Sequence, residues 1–194
     1  MWYDEIRQDN DCLWGLFAVQ YRQLKSEELS AELFNGFNRH QTVTDCYRRE
    51  NGRWVVRSAP FTDDWSEADY QYLRECLRET LNGGGAVFGA FSDGMLKGFA
   101  SVEGKPMGSR KQYLDLTSLH VSEDMRGHGI GKQLFSSACR WAKEHGAEKL
   151  YISSHSAVDT QAFYETVGCV DAEEPDKEHV SREPFDRQLE CSLK

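Results

Sequence analysis

Leu119-His120-Val121-Ser122-Glu123-Asp124-Met125-Arg126-Gly127-His128-Gly129-Ile130-Gly131-Lys132-Gln133-Leu134-Phe135 reads as a strand end, a glycine loop and a helix start. Three glycines within five residues let the backbone come close to a ligand, and the first amides of the following helix point at whatever occupies its positive end. An anion, a phosphate or pyrophosphate, is the expected occupant. A dinucleotide fingerprint needs a third glycine where Lys132 stands. A Walker-type loop needs glycine at 126 and Ser or Thr at 133, where Arg126 and Gln133 stand. The pattern left is R-x-x-G-x-G, filled by Arg126, Gly129 and Gly131.

Working outward, Leu134, Phe135, Ala138, Trp141 and Ala142 share one helical face, and His145-Gly146 supplies a last-turn cation and a glycine stop. Upstream, residues 112–121 form the strand that feeds the loop. Before it, residues 86–91 and 95–102 flank Ser92-Asp93-Gly94, a strong hairpin signal. Downstream, residues 149–153 read as a buried strand, 159–167 as a short helix closed by Gly168, and 187–193 as a final strand. Nearer the N-terminus we expect a strand at 21–24, a helix from Ser26 to about Asn38 and a helix over 64–81. Between those two helices, residues 42–47 and 53–57 pair across Asn51-Gly52 as an inserted β-hairpin. The fold class is therefore α/β (α+β), a mixed central sheet flanked by helices. Residues 1–19, apolar without clean periodicity, are expected to be an extension, and residues 20–194 the domain.

Composition narrows the function. With 23 basic and 32 acidic residues the net charge is -9, which argues against a nucleic-acid partner. An apolar fraction of 39% and a mean hydropathy of -0.67 fit a globular chain. The apolar stretch at 12–19 is far short of the ~20 residues a bilayer crossing needs and lacks a basic flank, so neither membrane nor secretion is expected, and the cytoplasm is. The six cysteines stand singly, with no C-x-x-C and no H-E-x-x-H, so no metal site is expected.

The segment 119–135, together with Gln161-Ala162-Phe163-Tyr164-Glu165-Thr166-Val167-Gly168-Cys169, resembles the GCN5-related N-acetyltransferase (GNAT) family. The resemblance spans roughly residues 20–194 and implies the acyl-CoA N-acyltransferase fold. It also implies direct transfer from acetyl-CoA to a primary amine, small molecule or peptide, within a ternary complex. A non-catalytic acyl-CoA-binding module is the alternative, and a homodimer is left open. By resemblance, the main chain of Leu119, His120 and Val121 would pair with the pantetheine arm. The loop Arg126, Gly127, His128, Gly129, Ile130 and Gly131, with Lys132, would hold the pyrophosphate.

Tyr164 would protonate the departing thiolate, or else pack behind the cofactor. For the base, Asp115, set between Leu114 and Leu116 on the central strand, leads and Glu103 follows; a carboxylate that only binds a cationic acceptor or hydrogen-bonds a neighbouring strand is the competing role for Asp115. His120 is attractive by its ordinary pKa, but a histidine here is more often a packing residue. Where the family often carries an Asn seven residues before the Tyr, this chain has Ala157; main-chain contacts or the run Ser153-Ser154-His155-Ser156 are the candidates to replace that grip.

Overall fold

The computed structural model describes residues 19–194; the expected extension, apart from Val19, lies outside them. The chain begins with β1 (Gln20–Gln23) and two single 3-10 turns, Ser26–Glu28 and Glu32–Phe34. It continues through β2 (His40–Glu50), β3 (Arg53–Asp64), α1 (Glu67–Asn82), β4 (Ala86–Ser92), β5 (Met95–Val102) and β6 (Tyr113–Val121). Then follow α2 (Ile130–Glu144), β7 (Lys149–Ser154), α3 (Val158–Thr166), β8 (Val170–Asp171), α4 (Lys177–Arg182) and β9 (Arg187–Ser192).

Seven strands form one sheet in the order β1-β4-β5-β6-β7-β9-β8, and β2 pairs with β3 as a separate ribbon. Among the described strands only β6 and β7 are parallel. The mixed sheet flanked by helices is thus present, with the hairpin standing apart from it.

Alternation along β4 divides the core between the two faces. Ala86 and Ala90 pack with the α2 residues Ile130, Leu134 and Ala138, while Val87 and Phe91 pack with Leu73 and Leu77 of α1. Fully burying each such aliphatic side chain contributes about 1.5–3 kcal/mol, so the two faces share the stabilisation of the sheet. Gly98 on β5 makes the α2 contact possible: a Cβ there would meet Ile130 Cγ2 at 2.8 Å and Leu134 Cδ1 at 2.9 Å.

The helix expected over 26–38 is absent. Its backbone closes i to i+3 instead, with Leu29 N–H donating to Ser26 O at 3.2 Å and Phe37 N–H to Phe34 O at 2.9 Å. Leu29, Phe34 and Phe37 each turn inward, and Phe34 and Phe37 meet Phe99 at ring separations of 5.8 and 5.4 Å, so aromatic burial overrides a weak local preference. The hairpin is longer than expected: pairing continues past Pro60, which has no N–H to donate and is accommodated where the register slips between Val43↔Phe61 and Asp45↔Ser58. Short α4 and two-residue β8 gave no periodic signal.

Among the described residues all five cysteines are free. Cys139, Cys169 and Cys191 nevertheless come together; hydrogen bonding to Cys191, with burial, pushes the Cys139 and Cys169 thiols up. No metal-holding group of His, Cys, Asp and Glu is present among the described residues, and none of their helices is long and apolar enough to cross a membrane.

Candidate active site

β6 and β7 pair only at Tyr113, Leu114 and Asp115, opposite Lys149, Leu150 and Tyr151. Beyond Asp115 the strands diverge. On its other side β6 stays paired to β5 as far as Gly98↔Val121, with a register slip between Ser101 and Val102. From Leu116 onward the β7-facing edge of β6 therefore lacks a strand partner, a main-chain ladder open to an extended ligand. The opening is a cleft of about 1060 Å³, at the upper end of the ~300–1,000 Å³ usual for ligand sites and ample for two substrates.

The glycine loop closes one end of the cleft. Gly129 is the N-cap of α2 at φ +80, offers no side-chain cap, and no acid sits in the first turn. Helix α1, by contrast, carries a capping box from Ser66 and Asp69 and a Glu in its first turn. The α2 start thus keeps its orphan amides for something else, and Lys132 there opposes the helix dipole unless an anion is bound. A Cβ on Gly127 or Gly129 would meet nothing within 4 Å, so the loop surface lies open to a ligand. Arg126 donates from Nη2 to His40 O at 2.5 Å, joining the loop to β2. Of the loop residues expected to bind, Arg126, Gly127, Gly129, Ile130, Gly131 and Lys132 line the cleft, as do Leu119, His120 and Val121. His128 does not; its Nδ1 lies 2.9 Å from Arg126 O.

Tyr164 enters the cleft from α3, beside Phe163 at 5.2 Å and Phe135 at 6.2 Å. Burial, and then the thiol of Cys169 and the carboxylate of Asp186, push its phenol up, so it stays protonated at any physiological pH. His120 sits between Trp65 at 4.9 Å and Phe99 at 5.2 Å. Burial, then the charges of Arg39 and Arg126, push it down to about 3, so it is a neutral packing ring with little basicity.

The hairpin forms the opposite wall with Phe61 and Asp63, and Arg39 and Trp65 flank it. It is pinned by Tyr47 N–H donating to Ser156 O at 2.7 Å and by a bridge between Cys46 and Ala157. Ala157 thus stands where a larger residue would push the ribbon away. Each serine hydroxyl already accepts one hydrogen bond, Ser153 from Gln188, Ser154 from Gln161 and Ser156 from Arg48, each within 3.0 Å.

The carboxylates expected as bases lie off the cleft. Asp115 is buried, its Oδ2 2.8 Å from His179 Nε2 and its Oδ1 without a partner. Glu103 accepts from Thr80 Oγ1 at 2.5 Å, on the α1 side. The acids that do line the cleft include Glu183 and Asp186, in the turn between α4 and β9. That turn carries no motif; Pro184 ahead of the last strand was its only signal.

The family model for the acetyltransferase (GNAT) family matches residues 43–169, and the chain belongs to that family of acetyltransferases. Among solved structures, the chain is similar to nourseothricin acetyltransferase, with 19% identity and a TM-score of 0.61 over 89% of this chain and 96% of that one. A Bacillus anthracis protein assigned as a streptothricin acetyltransferase and crystallised with acetyl coenzyme A shares 16% identity and a TM-score of 0.66, over 89% and 96%. PaiA N-acetyltransferase from Thermoplasma acidophilum, in complex with coenzyme A, shares 16% identity and a TM-score of 0.56, over 90% and 99%. At these identities the likeness is one of fold. No curated protein sequence matches the chain.

Proposed function

We propose that this enzyme transfers the acetyl group of acetyl-CoA directly to a primary amine, with both substrates held in the cleft together. The carrying observation is the opening between β6 and β7, which ends at the uncapped start of α2. When bound, acetyl-CoA supplies an activated thioester. The free edge of Leu119, His120 and Val121 suits its amide-bearing arm, and the α2 amides with Arg126 and Lys132 suit its pyrophosphate. Tyr164 then holds a proton at its Oη where the departing sulfur would need it.

Among the described residues no cysteine lines the cleft, which favours direct transfer over an acyl-cysteine route. Structural neighbours named for acetylating nourseothricin and streptothricin favour a small-molecule acceptor over a peptide. The test follows release of the CoA thiol from acetyl-CoA with panels of small primary amines and of lysine-containing peptides. Amine-dependent thiol release with an acetylated product in the mass spectrum supports the reading; acetyl-CoA binding without release in any arm overturns it.

A further inference from the structure

We propose that Asp186, paired with Glu183 and set by the His179–Asp115 contact, takes the proton that a cationic amine acceptor must lose before attack. The inference rests on the transferase reading above and adds to it a base and an acceptor charge. Asp186 N–H donates to Glu183 O at 3.0 Å, so the two residues close one turn, and both line the cleft. Asp186 and Tyr164 line the same cleft, and the charge of Asp186 adds to the upward push on the Tyr164 phenol. Glu183 acts in the same way on His155, beyond the end of β7.

Among the described residues no ion pair reaches Glu183 or Asp186, because the nearby cations are engaged elsewhere. Arg187 binds Asp171 at 2.6 Å and Glu165 at 3.3 Å, and Arg48 lies 4.9 Å over Phe185 while donating to Tyr47 O and Ser156 Oγ. His179, the cation that acts on Asp186, is committed to Asp115 at 2.8 Å. Two carboxyls facing a cleft without a counter-ion fit an ammonium group.

The turn's placement is built from polar contacts. Helix α4 buries no residue of its own. It is tied to the sheet by His179 on Asp115, by His179 stacked 5.6 Å from Tyr151, and by Asp176 N–H donating to the Tyr151 hydroxyl at 2.8 Å. Asp115 is buried, and of its two carboxyl oxygens only Oδ2 has a partner, the His179 ring. Asp115 thus acts through His179, as a positioning residue.

Burial, then hydrogen bonding to and the charge of Glu183, push Asp186 up to about 7, against the lowering pull of His179. A base of that strength is matched to neutral pH. The ammonium nitrogen gives one proton to Asp186, which passes it to solvent. Its freed lone pair forms the bond to the thioester carbon; as the carbon–sulfur bond breaks, the sulfur takes the Tyr164 proton and the nitrogen's second proton restores the phenol. The products are the amide, the free thiol and one released proton.

The test measures kcat and kcat/KM against pH with whichever primary amine the wild-type enzyme turns over, alongside calorimetric affinity for acetyl-CoA. Asp186→Asn is expected to lower kcat by about 10²-fold, within the range of a lost general base, and to abolish the rising limb near neutrality. Its acetyl-CoA affinity should hold. Glu183→Gln removes a charge that raises Asp186 and should move the limb to lower pH. His179→Gln removes one that lowers it and should move the limb up. These opposite displacements are not what loss of structure produces. A wild-type limb and wild-type kcat in Asp186→Asn overturn the inference while leaving the transferase reading intact; no turnover of any amine by the wild type overturns that reading and this one with it.

Discussion

Tyr164 is held protonated by burial and by neighbouring negative charge, so the hydroxyl contributes a proton and little else that phenylalanine would lack. Tyr164→Phe is therefore expected to keep acetyl-CoA affinity and lower kcat by about 10²-fold, the usual size of a lost general acid, measured by thiol release under saturating substrates. At Gly98 the effect is on packing. The methyl groups a new Cβ would strike belong to Ile130 and Leu134, both buried, so Gly98→Val should lower stability by about 1–3 kcal/mol in urea unfolding. The glycine loop and Tyr164 could be read from sequence because their spacing is local. Asp115 shows the limit: Leu114 and Leu116 announced its burial, but its partner His179 lies 64 residues away and nothing near Asp115 points to it. Glu183 and Asp186 escaped notice for the same reason, since only folding brings their turn to the cleft.

Strands and helices with a strong pattern fall where the sequence put them: the β4–β5 hairpin, α2 and β7 each carry their own periodicity and stop signals. The segment at 26–38 does not, because its fate is decided by Phe99 and Tyr70, which belong to other elements. Docking of the β2–β3 ribbon likewise depends on Ala157. Ala157→Leu should detach Cys46 and Val43 from their small shared cluster and weaken acceptor KM more than acetyl-CoA affinity, since the ribbon lines the acceptor wall.

On β9, between β7 and β8, burial alone would raise Glu190, but hydrogen bonds from Lys149 at 2.6 Å and Tyr113 at 2.5 Å leave it below its ordinary value. A carboxyl depressed in the folded state stabilises above its unfolded pKa of about 4.3 and loses that contribution as pH falls through the folded one. The Tm advantage of wild type over Glu190→Gln should accordingly be largest near neutral pH and shrink below about pH 4.

Across the whole molecule, one departure organises the site: the sheet stays paired from β1 to β6 and from β7 to β8, and opens between them after Asp115. Helix α2 delivers its free amides to one end of that opening, α3 delivers Tyr164, and the hairpin and the turn after α4 close the acceptor side. The account stands on the α2 start being the pyrophosphate seat. Calorimetric titration of acetyl-CoA into wild type and into Gly129→Glu tests this directly, because a Cβ at 129 meets no protein atom within 4 Å, so that beyond the backbone strain of φ +80 the change sets a carboxylate against the same amides. The expected result is saturable binding to wild type and a loss of at least about tenfold, or 1.4 kcal/mol, in a variant whose circular dichroism and Tm show it folded. Equal affinity in the two folded proteins would contradict the placement of the cofactor on this loop.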